Sequence, residues 1–99
     1  MNLGSFLKQP TEYKDYDIDF SPWLTPMGDT LDEVDISVIC IDDPTDHALV
    51  VDRPILTETA YKFWCKGGTS GLVYKITVLA YTTGGRKDES EVYFAVEDL

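Results

Sequence analysis

A two-residue periodicity near the C-terminal end is the feature that most constrains the fold. In the run 74–81 the even positions share one face and the odd positions share the other. The run is rich in valine, isoleucine, threonine and tyrosine, which favour strands. A similar run, 91–96, follows Gly84-Gly85, a pair that tolerates the positive φ of a tight turn. These features predict an antiparallel hairpin with Tyr74, Ile76, Val78, Ala80, Val92, Phe94 and Val96 facing inward.

Shorter apolar runs upstream have the same character. The alternation is clearest in 15–20, 34–41 and 61–65, and it is weaker in 48–51 and 55–57, which flank Pro54. Turn residues separate the runs, and no convincing helix is present. The connections are also too short for the crossovers that parallel neighbours need. We therefore predict an all-β fold, an antiparallel β-sandwich of about seven strands.

The length of the chain sets its domain organisation. Its 99 residues, of which 43% are hydrophobic, suffice for one packed core and leave no room for a second. The segment 1–14 contains Gln9-Pro10-Thr11 and predicts an extended N-terminal arm rather than a helix. The predicted division is therefore an arm, 1–14, and a β-sandwich domain, 15–99.

The net charge of −10 lies entirely in the first part of the chain. Residues 1–60 hold thirteen acidic and three basic side chains, whereas residues 61–99 hold five of each. This field repels phosphate backbones and disfavours nucleic acid as a partner. Two interpretations stay open: the acids keep a β protein soluble, or they match a basic surface on a protein partner.

The two cysteines and the absence of long apolar runs indicate where in the cell the protein is expected. No run approaches the ~20 residues that span a bilayer, and the N-terminus lacks the pattern of a secretory signal. We expect a protein made in a cytoplasm, with no membrane partner. Cys40 and Cys65 lie inside strand-like runs, where reduced cysteine acts as a small buried hydrophobe.

The alternating acids Asp15, Asp17 and Asp19 invite comparison with a calcium loop. Such a loop needs a glycine where Phe20 stands and a bidentate glutamate where Pro26 stands. In a strand, alternate acids line one solvated face, and we favour that interpretation. A second acidic group, formed by Asp42, Asp43 and Asp46, lies in a predicted turn beside Pro44, where aspartate commonly bonds the local backbone. We favour this interpretation, and calcium binding by the loop is the alternative.

No group of residues supports catalysis or a cofactor. His47 is the only histidine, and a Cys–His nucleophile pair would need an exposed cysteine beside it. The glycine-rich run 67–71 lacks the lysine of a phosphate-binding loop and joins two strands. We predict a non-enzymatic protein without metal or cofactor.

Two tryptophans are candidates for packing or for contact. Trp23 follows Phe20-Ser21-Pro22, where it is expected to plug one end of the core. Trp64 falls on the face opposite Tyr61 and Phe63, so that core and interface remain equal alternatives.

Two resemblances add to this interpretation. The run 71–81, followed by Gly84-Gly85 and Val92-Tyr93-Phe94, resembles the last two strands of fibronectin type III and other Ig-like domains. In those domains a tyrosine near the start of the penultimate strand bonds back to the preceding corner, and Tyr74 would take that place. This resemblance implies an Ig-like fold and no particular function.

The second resemblance spans most of the chain. The motifs occur in the order Phe6-Leu7-Lys8-Gln9-Pro10, Asp15-Tyr16-Asp17-Ile18-Asp19-Phe20-Ser21-Pro22-Trp23-Leu24, Gly28-Asp29-Thr30, Trp64-Cys65-Lys66-Gly67-Gly68-Thr69-Ser70-Gly71 and Tyr74-Lys75-Ile76-Thr77-Val78. They are similar to small structural proteins of tailed bacteriophages, described as fibre–tail adaptor or neck proteins. The resemblance implies an Ig-like fold, several copies in a ring on a portal or tail assembly, and attachment of fibres. It implies a place in the tail or neck of the virion after assembly in the host cytoplasm.

On this hypothesis, the arm and the segment 15–24 dock on a portal, tail adaptor or nozzle protein, and a sheet edge or the loops 66–71 or 82–88 receive a fibre. The candidate partner-binding residues are Phe6, Leu7, Tyr13, Tyr16, Trp64 and Tyr81. The alternatives are a capsid decoration protein, or a carbohydrate-binding module that stacks sugars on Tyr61, Trp64 and Tyr81.

Overall fold

The computed structural model describes all 99 residues, 1–99, and it contains seven strands. They are β1 (Asn2–Lys8), β2 (Lys14–Asp19), β3 (Leu31–Cys40), β4 (Leu49–Leu56), β5 (Ala60–Gly67), β6 (Val73–Thr82) and β7 (Lys87–Val96). One helical turn, α1 (Ser21–Leu24), and a 3₁₀ turn, Thr25–Met27, join β2 to β3. Neither is nearly long and apolar enough to cross a membrane.

The strands form two packed sheets. The first sheet has the order β1-β7-β6-β3, and the second has the order β2-β5-β4. This arrangement separates the second, fourth and fifth strands from the third, sixth and seventh, as in Ig-like sandwiches. The predicted β-sandwich of seven strands is confirmed.

The side chains that were predicted to point into the core do so. The inward residues of β6 and β7 are all buried, and so are Tyr61, Phe63 and Cys65 of β5. Both cysteines are buried and unpaired, and burial raises the pKa of Cys65 to about 11. The buried apolar residues form one cluster: Phe20, Leu24, Leu31, Cys40, Leu49, Tyr61, Phe63, Cys65, Tyr74, Ile76, Val78, Ala80, Val92, Phe94 and Val96.

Three sequence-based expectations need correction. The pairing is not wholly antiparallel, because β1 runs parallel to β7. The argument from short loops fails for this pair, because the two strands are the first and the last, so nearly the whole chain connects them. The two weak runs around Pro54 form a single irregular strand, β4, and 21–24 forms a helical turn where none was expected.

The segment 1–14, predicted as an arm, contributes a strand to the first sheet. Phe6 pairs with Phe94, and Lys8 pairs with Val96. Lys8 is 1% exposed, and its ammonium group donates to the carbonyl oxygens of Gln9 (2.9 Å) and Gly67 (2.7 Å). Because Gly67 ends β5, this side chain links the two sheets. Burial lowers the pKa of Lys8.

The hydroxyl of Tyr74 fixes the corner between β5 and β6. It accepts a hydrogen bond from the Thr69 backbone N–H at 2.9 Å and donates to Asp46 Oδ1 at 2.7 Å. Thr69 lies in the loop that precedes β6, so the bond back to the corner, implied by the resemblance to Ig-like domains, is present. Asp46 also accepts from the Thr69 hydroxyl and the Ala48 N–H, and these bonds lower its pKa.

We predict that Tyr74→Phe lowers the free energy of unfolding by about 1–3 kcal/mol, because Thr69 N–H loses its acceptor in a partly buried corner. Tyr93→Phe is the matched control, since the Tyr93 hydroxyl makes no hydrogen bond within the protein. Chemical denaturation monitored by circular dichroism measures both variants. Equal stability of the two variants would contradict this role for Tyr74.

Asp29 holds the turn between β6 and β7 in a similar way. Its side chain is 4% exposed and accepts hydrogen bonds from Thr30 N–H, Gly84 N–H and the Arg86 guanidinium. Bonds from Thr82 and Arg86 and from these backbone groups hold the pKa of Asp29 well below its usual value of 3.8. A carboxylate stabilised in this way favours the folded state only while it is ionised.

The lowered pKa of Asp29 makes stability sensitive to acid. Its contribution is fully present above pH 3.8 and is lost as the pH falls towards the lower pKa of the folded state. We predict that Asp29→Asn destabilises the protein at pH 7. Below pH 4, the free energy of unfolding of this variant should decrease less steeply than that of the unmodified protein as the pH falls. Asp32→Asn replaces an exposed carboxylate without hydrogen bonds, and it should change neither the stability at pH 7 nor the acid dependence of stability. Denaturant titrations between pH 2 and pH 7 would test this, and an unchanged acid slope in Asp29→Asn would contradict it.

Candidate partner-binding surfaces

The side of the sandwich between β1 and β2 is open. Each of these strands is at the edge of its sheet, whereas β3 and β4 pack against each other on the opposite side. A groove of about 430 Å³ lies between β1 and β2. We call it the β1–β2 groove; it is lined by Leu3, Phe6, Asp15, Tyr16, Asp17, Ile18, Asp19, Phe63 and Val92.

Aromatic rings form the wall of the β1–β2 groove. The ring centroid of Tyr16 lies 5.2 Å from that of Phe6, 4.9 Å from Phe94 and 5.8 Å from Phe63. Phe63 and Phe94 are fully buried, whereas Phe6 remains 43% exposed and Tyr16 is half-buried. The core therefore continues outward to an apolar surface that the rest of the chain covers only in part.

The rim of the groove on the β2 side is acidic. Asp15, Asp17 and Asp19 alternate with the inward-facing side chains of β2 and are exposed. Only Asp15 has a cationic partner, Lys62, whose Nζ lies 3.5 Å from Oδ2. The predicted pattern of acids outward and hydrophobes inward is confirmed, and one lysine, Lys62, which is the cross-strand neighbour of Asp17 and contacts Asp15, faces three carboxylates.

A second surface lies on the outer face of the second sheet. We call it the Arg53 cluster, and it consists of Tyr13, Asp52, Arg53, Trp64 and Lys66. The rings of Tyr13 and Trp64 meet edge to face at 5.2 Å, and the guanidinium carbon of Arg53 lies 5.5 Å and 5.2 Å from their centroids. Asp52 accepts a hydrogen bond from the Tyr13 hydroxyl at 2.9 Å and lies 3.4 Å from Lys66 Nζ. Trp64 thus faces outward beneath other side chains, neither in the core nor alone on the surface.

Arg53 owes its position to an irregularity in β4. The pairing of β4 with β5 shifts between Asp52 and Ile55, and Arg53 has φ of +50°. It is the only residue other than glycine with a positive φ, a conformation that costs about 1–3 kcal/mol. Sequence analysis missed Arg53, although Pro54 inside a strand-like run is typical of a bulge, and a bulge can redirect a side chain.

The six candidate residues occupy different places. Phe6 and Tyr16 line the groove, and Tyr13 and Trp64 belong to the Arg53 cluster. Leu7 and Tyr81 lie on the outer face of the first sheet, but Leu7 pairs with Ala95 at one end and Tyr81 pairs with Lys87 at the other. The structure therefore brings four of the six candidates together as two pairs, one in the groove and one in the Arg53 cluster. Leu7 and Tyr81 lie apart from both pairs and from each other.

The proposed sugar-stacking face is wrong. Tyr61 is buried in the core, Trp64 faces outward from the second sheet, and Tyr81 faces outward from the first. The three residues belong to different surfaces because β5 and β6 are in different sheets, which their adjacency in sequence does not reveal.

The acidic turn 42–46 bonds the local backbone, as predicted, because Asp43 accepts from Thr45 N–H and Asp46 accepts from Ala48 N–H. Asp42 instead accepts from the N–H of Val73, which is distant in sequence. No group of three His, Cys, Asp or Glu side chains is arranged to hold a metal ion.

The loop 66–71 is held firmly in place. Gly67 has φ of +77°, and a Cβ there would collide with the Ala48 carbonyl oxygen. The neighbouring Gly68 N–H donates to that oxygen at 3.0 Å.

At the other end of the molecule, Trp23 and Phe20 line a shallow cavity of about 240 Å³, where Trp23 packs against the core as predicted.

The sequence of this sandwich matches a known family. The model of the Gp77 family, described as podophage GP4 fiber-tail adaptor protein gp77, matches residues 8–95. The chain belongs to this family. The match includes the strands β2 to β6, most of β7 and the Arg53 cluster, and it begins at the end of β1, so Leu3 and Phe6 of the groove lie outside it. It confirms the resemblance to phage fibre–tail adaptors. A search of curated proteins finds no match.

The strained Arg53 allows a test of what the adaptor's cluster contributes. Arg53→Ala keeps the positive φ but removes the cation–π contacts, and we expect it to lower the free energy of unfolding by about 0.5–1 kcal/mol. Arg53→Gly removes the same contacts but also relieves the strain, so its stability should exceed that of Arg53→Ala by about 1 kcal/mol. Denaturant unfolding measures both. A glycine variant no more stable than the alanine variant would show that the positive φ costs nothing.

Proposed function

We propose that this structural adaptor of the phage tail uses its two surfaces for two partners, with the tail at the β1–β2 groove and a fibre at the Arg53 cluster. The observation that carries the proposal is that these surfaces face different ways. The groove opens between the edges of the two sheets, whereas the cluster lies on the outer face of the second sheet, and the two surfaces adjoin where Asp15 pairs with Trp64. Membership of the adaptor family supplies the class of partner, which is other tail and fibre proteins.

The groove suits a permanent contact with the tail. It exposes apolar rings that continue into the core, and contacts of this kind are typical of stable interfaces. A portal, tail adaptor or nozzle protein is the proposed tail partner, and several copies of the chain would surround it in a ring. The net charge of −10 favours a basic surface on that partner and disfavours nucleic acid.

The Arg53 cluster suits recognition of a fibre. Tryptophan, tyrosine and arginine are the residue types that most often dominate binding energy at interfaces. The cluster already holds its aromatic rings in place, so binding would lose little side-chain entropy. The role proposed for the protein is contact without catalysis, and the family's structural role supports it.

We predict that particles assembled without the adaptor lack fibres. Arg53→Glu should leave the number of adaptors per portal unchanged and reduce the number of fibres, because it reverses the charge at the cluster. Lys75→Glu is the matched control, since Lys75 lies on the outer face of β6, in the other sheet. Quantitative mass spectrometry of purified particles measures adaptor, portal, capsid and fibre proteins together.

The copy numbers separate this proposal from its alternatives. An adaptor number equal to the portal's, or a small multiple of it, supports a ring on the tail. A number close to that of the capsid protein would instead indicate decoration of the capsid. Normal fibre attachment in particles without the adaptor would overturn the proposed function.

A further inference from the structure

We propose that the β1–β2 groove binds an extended segment of the tail partner, in which apolar residues alternate with lysine or arginine, as an added strand along β2. This inference rests on the proposed function and names the chemistry of the partner that the groove takes. It is carried by the free edge of β2, the apolar lining of the groove and the charge of its rim.

The hydrogen-bonding edge of β2 is free on the groove side. Phe20 N–H, at the end of this strand, donates to the Thr59 carbonyl oxygen at 2.8 Å. In an antiparallel pair every second residue bonds the neighbour, so Tyr16 and Ile18 bond β5 in the same way. The N–H and C=O groups of Asp15 and Asp17 therefore point away from β5, towards the open side, where an added strand would pair with them.

The lining of the groove determines one face of the added strand. Side chains that point between the sheets would meet Phe6, Tyr16 and Ile18, which are only partly covered. Apolar side chains at alternate positions would extend the core cluster outward and remove this surface from water. Because β2 has six residues, the added strand would place about three side chains in the groove.

The rim determines the other face. The outward side chains of the added strand would lie beside Asp15, Asp17 and Asp19, and opposite charges across a strand pair are favourable. Acidic residues there would be repelled by the three carboxylates, which a single lysine, Lys62, offsets only in part. The partner segment should therefore carry lysine or arginine at its outward positions.

A second copy of the chain does not supply this segment. The only run with two lysines among apolar residues is 61–66, and it lies in β5, the central strand of the second sheet. Freeing that run would unfold the sandwich. The occupant is therefore a different protein, and the acidic charge of the adaptor prevents edge-to-edge pairing of its own copies.

Hydrogen exchange in the assembled particle tests the inference. We expect amide exchange in 14–19 to slow by at least about tenfold between the free adaptor and the adaptor in the particle, because the amides of Asp15 and Asp17 gain acceptors. The strand β3, at the far edge of the first sheet, lies outside both proposed binding surfaces and serves as an internal reference. Unchanged exchange in 14–19, in particles that contain the adaptor and its fibres, would overturn the inference and leave the proposed function intact.

Variants at Asp17 separate the backbone contact from the charge contact. Asp17→Pro removes the free N–H without removing a bond to β5, and it should reduce adaptor incorporation to less than about a tenth. Asp17→Asn keeps the N–H and should be incorporated almost normally. Asp17→Lys should lose incorporation, whereas its charge-matched control on the opposite side, Asp35→Lys, should not. Thermal unfolding confirms that each variant is folded, and normal incorporation of folded Asp17→Pro would overturn strand addition.

Discussion

The buried ammonium group of Lys8 is the interaction on which the open side of this sandwich depends. It lies at the end of β1, in the first sheet, and donates to Gly67 at the end of β5, in the second. Burying a cation is unfavourable unless its hydrogen bonds are replaced, and the carbonyl oxygens of Gln9 and Gly67 replace two of them. These bonds fix the end of β1, and Phe6 is thereby held opposite Tyr16. Without β1, the groove would lose one of its two walls.

The distribution of charge follows from the same architecture. The acidic excess of residues 1–60 lies largely on the edge strands β2 and β3 and in the turn 42–46. Edge strands with exposed backbone groups are prone to pair with one another, and like charges oppose this pairing. The two interpretations of the net charge are therefore compatible. The same carboxylates would oppose strand pairing between copies of the adaptor and would select a basic strand.

The sequence allowed the core to be predicted better than the surfaces. Alternation placed Ile76, Val78 and Phe94 correctly, because facing within a strand depends only on neighbouring residues. The parallel pairing of β1 with β7 joins residues about ninety positions apart, and no local pattern encodes it. The groove depends on that pairing. The local sequence does not decide between core and interface for Trp64, because its cover comes from Tyr13 and Arg53, which are distant in sequence.

Folding contributes differently to the Arg53 cluster and to the β1–β2 groove. In the Arg53 cluster, folding holds Arg53 at a positive φ and packs its guanidinium group against two rings, so the binding groups are already ordered before a partner arrives. In the β1–β2 groove, folding instead leaves a strand edge free and apolar rings partly uncovered, and the proposed added strand would cover them. The two surfaces would thus suit the two proposed contacts, because a permanent attachment benefits from burying exposed apolar surface, whereas recognition of a fibre benefits from a rigid, preformed face.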